Sequence, residues 1–143
     1  MARIEFHFNA PALVPYACRL LRKVRSQGLR VQVVAPQATL SLLDQALWTF
    51  SALDFLTHCG ADAPPPMRNA SGILLTDRTD LQWPSQVLVN LGETVPTEFE
   101  GFERVVEVVT VDDLNRSQGR ARWRHYTQLG HELVRHDLAG APS

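Results

Sequence analysis

The run LRVQVVA at residues 29–35 is apolar at five of its seven positions and valine-rich, and it lies between two segments whose apolar residues recur at helical spacing. A strand that reads as continuous rather than alternating is covered on both faces, as the strands of a parallel sheet are. Upstream, RIEFHF at residues 3–8 alternates and places Ile4, Phe6 and Phe8 on one face of a first strand. From Ala12 onward, Leu13, Tyr16, Ala17, Leu20, Leu21 and Val24 follow a helical period, and Gly28 marks the stop. After Pro36, a second helix opening near Thr39 turns Leu40, Leu43, Leu47 and Phe50 inward and leaves Asp44 on another face. The chain therefore opens strand, helix, strand, helix. Right-handed crossovers then commit it to parallel pairing with helices on both faces of the sheet.

The remainder fits that beginning. GILLT at 72–76 and QVLVNLG at 86–92 read as short central strands, residues 96–102 as one helical turn, and RVVEVVTV at 104–111 as a last strand. Asp112 and Asp113 open the final helix, where acidic groups favour the positive end of the dipole. GADAPPPMRNAS at 60–71 has no period and three consecutive prolines, so it reads as a surface connection with local polyproline II character. The expected fold is α/β, a single three-layer Rossmann-like domain over residues 1–143, with about five strands and three main helices. A chain of 143 residues with 45% hydrophobic content suits one core. Cys18 and Cys59, without a signal-like apolar block, suggest free thiols and a cytoplasmic location, and no apolar run approaches the roughly 20 residues of a membrane span.

Familiar catalytic constellations are missing from the sequence. The first strand runs into FNAPALVP, with no glycine where a phosphate would approach the backbone, and neither GxGxxG nor GxxxxGK[ST] occurs. His7, His58, His125, His131 and His136 form no HExxH, and the adjacent His58 and Cys59 have no second pair at ligand spacing, so no metal site is expected. Ser41, Ser51, Ser71 and Ser85 lack a GxSxG elbow, and Glu93, Glu98, Glu100 and Glu103 show no spacing for paired acid and base work. No cofactor and no enzymatic chemistry are expected.

Charge, by contrast, is organised. Residues 61–115 carry three basic and ten acidic groups, whereas residues 116–143 carry five and two, although the whole chain nets −1. Within RSQGRARWRHYTQLGHEL, Arg116, Arg120 and Arg124 recur every fourth residue, with Trp123 and Tyr126 among them, on what reads as the last helix. Guanidinium forks grip carboxylates or phosphates while neighbouring rings supply an apolar contact. Spacing alone also describes a solvated basic face over an aromatic inner face, and His125 within the segment reads as surface. Direct contact with single-stranded nucleic acid is the alternative use, with arginines on phosphates and Trp123 or Tyr126 stacking on bases. The acidic middle and near-zero net charge weigh against it.

The segments LLRKVRSQGLRVQVV, LLDQALWTFSALDFLTH, VLVNLG, FERVVEVV and RARWRHYTQLG, in that order over nearly the whole length, resemble the chi subunit family of bacterial DNA polymerase III holoenzyme. LDQALW followed by FLTH, and the terminal RxRWRxYxxxG, are the most specific pieces. The resemblance implies a non-catalytic replication subunit with two partners. One is the psi subunit, which tethers it to the clamp loader. The other is the acidic C-terminal tail of single-stranded DNA-binding protein, which ends in an apolar aromatic residue with a free carboxylate. By family position Arg116 and Arg120 are the main basic contacts to the tail, Arg124 a helper, and Val109 and Trp123 walls of an apolar slot. Trp48 and Phe55 fall where the family contacts psi, or a helicase-like protein competing for that surface, so DNA is reached only indirectly. The chain differs from the family pattern in having Trp123 in place of a tyrosine, and its closing HDLAGAPS adds little apolar wall.

Overall fold

The computed structural model describes residues 2–49 and 57–139. Its strands are β1 (Arg3–Ala10), β2 (Val31–Val34), β3 (His58–Gly60), β4 (Ile73–Thr76), β5 (Val87–Asn90), β6 (Arg104–Thr110) and β7 (Leu133–Asp137). Helices α1 (Leu13–Ser26), α2 (Gln37–Thr49), α3 (Pro65–Ala70) and α4 (Asp113–Gln128) connect them, with a single 3₁₀ turn at Phe99–Gly101. Every pairing is parallel, in the order β3-β4-β2-β5-β6-β1-β7.

Alternation along the strands divides the core in two. Val33, Ile73, Val89, Val106 and Val108 meet Leu20, Leu21, Val24 and Leu43 of α1 and α2 on one face. Ile4, Phe6, Leu88, Val105 and Val109 meet Tyr126 of α4 and Phe99 on the other. The chain leaving β1 thus crosses one face as α1, while the chain leaving its neighbour β6 crosses the opposite face as α4. Such a divergence opens a crevice at the carboxyl ends of the strands, the usual ligand position in open α/β sheets.

The α/β reading holds, with seven strands among the described residues instead of about five, and four helices instead of three. β3 has only three residues, too few to show a period. β7 ends in Arg-His-Asp and among the described residues pairs only with β1, so as an edge strand it needs little apolar alternation. The stretch expected to be a polyproline connection contains α3, which places Pro65 in its first turn, where a missing N–H costs nothing. The last helix is shorter than its sequence pattern suggests, stopping at Gln128 before Gly130 at φ +87°. Likewise α1 ends just before Gly28 at φ +76°, and α2 begins at Gln37, earlier than Thr39. Phe50 lies outside the described residues. Among the described residues no helix is long and apolar enough to cross a membrane.

Candidate functional site

Helix α4 is anchored before it is used. Asp112 caps its N-terminus, accepting from the Asn115 backbone N–H at 3.0 Å and from the Thr110 hydroxyl, while Asn115 Oδ1 accepts from the Thr110 N–H at 2.8 Å. The Thr110 hydroxyl and the Asn115 N–H hold the exposed Asp112 carboxyl below its usual pKa. Gly119 brings the helix close to β6: a β-carbon there would lie 2.8 Å from Val109 Cγ2. Beneath the helix, Glu107 is fully buried and surrounded by donors. Arg122 Nε lies at 2.7 Å, the Tyr126 hydroxyl at 2.7 Å, and Asn90 Nδ2 at 3.0 Å from both carboxylate oxygens. Burial pushes the Glu107 pKa up, and these donors oppose that shift. The Tyr126 hydroxyl is pushed up as well, by burial and then by the Glu107 charge.

Between α4 and the strands β6, β1 and β7 lies a cavity of about 510 Å³, lined by Phe6, Phe8, Asn9, Val109, Arg116, Gly119, Arg120, Trp123 and Arg135. Its apolar side is built by alternation on β1, which turns Phe6 and Phe8 toward α4, with Trp123 packed edge-on against Phe6 at 5.1 Å between ring centroids. Its basic side has two sources. Arg116 and Arg120 descend from α4, and the Arg116 Nη2 donates to Asn9 Oδ1 at 2.7 Å. Asn9 stands at φ 64°, where β1 shifts register against β6, and its own amide donates to Asp137 Oδ1 at 2.8 Å. Arg135 comes from β7, its guanidinium carbon 4.9 Å from the Phe8 ring centroid and 5.9 Å from that of Trp123. Among the described residues no carboxylate lines this cavity.

Four residues expected at one site, Arg116, Arg120, Val109 and Trp123, therefore meet around one cavity. Arg124 does not line it. Each step of four residues turns a helix by about 40° beyond a full turn, so the third rung of the ladder rotates away from the cavity. Arg135 supplies the third guanidinium in its place. Tyr126 is fully buried against Phe6, Phe99 and Glu107, so its ring cannot stack on a base. Phe6 and Phe8 were legible as one strand face, and a mid-helix glycine signals close approach. Nothing local to residue 135 foretells its place, because that depends on β7 lying beside β1.

Trp48 lies elsewhere, on α2, where it is 65% exposed and its ring centroid is 4.8 Å from that of His58. Leu42 of the same helix is 59% exposed. Phe55 falls outside the described residues. Both Cys18 and Cys59 are free and buried.

Two comparisons with known proteins place the chain in a family. Residues 1–134 match the family described as DNA polymerase III chi subunit, HolC. The chain is 32% identical over 145 aligned positions to a Pseudomonas aeruginosa protein named DNA polymerase III subunit chi, covering 96% of this chain and 98% of that relative. The chain belongs to the DNA polymerase III chi subunit family.

Proposed function

We propose that this protein is a non-catalytic accessory subunit of DNA polymerase III holoenzyme in DNA replication, and that the α4–β1–β7 cavity receives the acidic C-terminal tail of single-stranded DNA-binding protein. The observation that carries this reading is the pairing of three guanidiniums, Arg116, Arg120 and Arg135, with a floor of Phe6, Phe8, Val109 and Trp123 in a cavity that no described carboxylate lines. A terminal aromatic residue fits against the rings. Its free carboxylate, and the acidic residues before it, meet the arginines. Exposed charges steer the encounter and set its salt dependence, whereas the apolar slot selects the end group. Among the described residues Arg116, Arg120 and Arg135 make no salt bridge, so their charge is available to a partner.

The second surface is α2, where exposed Trp48 and Leu42 suit an apolar contact with psi, or with a helicase-like protein in its place. Linking the clamp loader to single-stranded DNA-binding protein then requires only that the two surfaces be occupied together. Titration of the purified protein with an acidic peptide ending in phenylalanine tests the first half. Saturable binding that weakens with salt and on amidation of the peptide terminus is expected. Binding of an oligonucleotide without binding of the peptide would favour direct nucleic-acid contact and remove this reading.

A further inference from the structure

The sheet face opposite the tail cavity carries a cluster that the tail does not use. Because strand residues alternate, Glu5 and His7 point away from Phe6 and Phe8, and the parallel register sets His136 of β7 beside His7 of β1. His7 Nε2 is 3.3 Å and His136 Nε2 is 3.4 Å from the same atom, Glu5 Oε1. The three potential ligand atoms all lie within 4.8 Å of one another. We propose that Glu5, His7 and His136 form a binding site for a divalent transition metal of the zinc class, with water completing the coordination.

The spacing is what a tetrahedral ion needs. Zinc bonds of about 2.0–2.1 Å imply ligand-to-ligand edges of about 3.3 Å, and two of the three edges are already there. The third closes by rotation of the exposed His136 ring, while Glu5 and His7 are buried and held in place. Two imidazoles and one carboxylate favour zinc, nickel or copper over the all-oxygen preference of magnesium or calcium.

The surrounding groups fit that role. Tyr16 OH lies 2.5 Å from His7 Nδ1, the nitrogen not aimed at the ion, and so fixes the ring orientation as outer partners of metal-bound histidines do. With metal on Nε2, the tautomer protonated on Nδ1 donates to the Tyr16 oxygen. Arg104 donates to Glu5 Oε2 at 2.7 Å and Oε1 at 3.0 Å, and Arg3 Nε lies 3.4 Å from Oε2. Arg104 and Arg3 thus hold the Glu5 carboxylate in place from the side away from the two imidazoles. The two arginines also repel that cation, which sets the site toward moderate affinity. A search for contiguous motifs misses these ligands because strand pairing alone joins residues 5 and 7 to 136.

Tag-free protein titrated with Zn²⁺ should show a melting temperature that rises and saturates with one ion per chain. Co²⁺ in its place should give the visible absorption of a tetrahedral nitrogen–oxygen site. His136→Ala, an exposed edge-strand change that leaves the core untouched, should abolish both signals. Tyr16→Phe should weaken metal binding about 10-fold, and His125→Ala on α4 should change neither signal. Absence of a Zn²⁺-dependent shift at millimolar concentration, or a shift that survives His136→Ala, would overturn the proposal.

Discussion

Arg120 and Arg122 are two residues apart on one helix and chemically identical, yet they belong to different parts of the molecule. Arg122 is 2% exposed, pairs with Glu107 and donates from Nη1 to the Glu93 carbonyl at 3.2 Å. Arg120 is exposed on the wall of the cavity. A buried ion pair is costly to break because the remaining charge cannot recover its hydration, whereas an exposed guanidinium loses only what it would gain from a ligand. On the proposed reading the outer arginines of α4 meet the ligand, and the inner one fixes the helix that presents them.

The largest test of this division is Arg122→Met, which strands Glu107 and should destabilise the fold by about 3–5 kcal/mol in denaturant unfolding. Arg122→Met combined with Glu107→Leu should recover much of that loss, since neither charge then remains buried. A single variant as stable as the parent would place Arg122 with the outer set.

Arg120→Ala and Arg135→Ala should each weaken acidic-peptide binding by about 1–3 kcal/mol, the scale of charge-assisted contacts, with little change in melting temperature. Calorimetric titration reads the first quantity and a thermal melt the second. An unchanged affinity for Arg135→Ala would return the basic side of the cavity to α4 alone.

Gly119→Ala sharpens the same comparison from the backbone. The added methyl meets Val109 Cγ2 at 2.8 Å, and overpacking of about 1–3 kcal/mol is partly offset by the better helix propensity of alanine, about 0.5–1 kcal/mol. A net loss of about 1 kcal/mol is expected in unfolding experiments, together with weaker peptide binding as α4 moves from β6.

Smallest of all should be Arg124→Ala, within about 0.5 kcal/mol for both stability and peptide affinity, because the side chain is exposed and outside the cavity. Trp48→Ala should be similarly mild in unfolding, since an exposed ring leaves no cavity when removed. A loss of several kcal/mol there would make Trp48 a core residue and dissolve the α2 surface.

Much of this was readable from short-range pattern. The alternation of Ile4, Phe6 and Phe8, the leucine spacing of α2, the stop at Gly28 and the acidic start of α4 each depend on neighbours within a turn or a pleat. So does the placing of Arg116 and Arg120 on one side of a helix. Resemblance to the family supplied the roles proposed for Val109 and Trp123, which no spacing separates from ordinary core positions.

What remained hidden depends on pairing between distant parts of the chain. By itself the sequence determined the succession of strands and helices and which residues share a face of each, because those follow from the periods of the two backbones. Only the tertiary structure decided that Arg135 replaces Arg124 at the cavity, that Arg122 is spent on Glu107, and that His136 comes to rest beside Glu5 and His7. All three follow from how α4 and β7 pack against β6 and β1, and that packing is set by core burial and strand register rather than by any local run of residues.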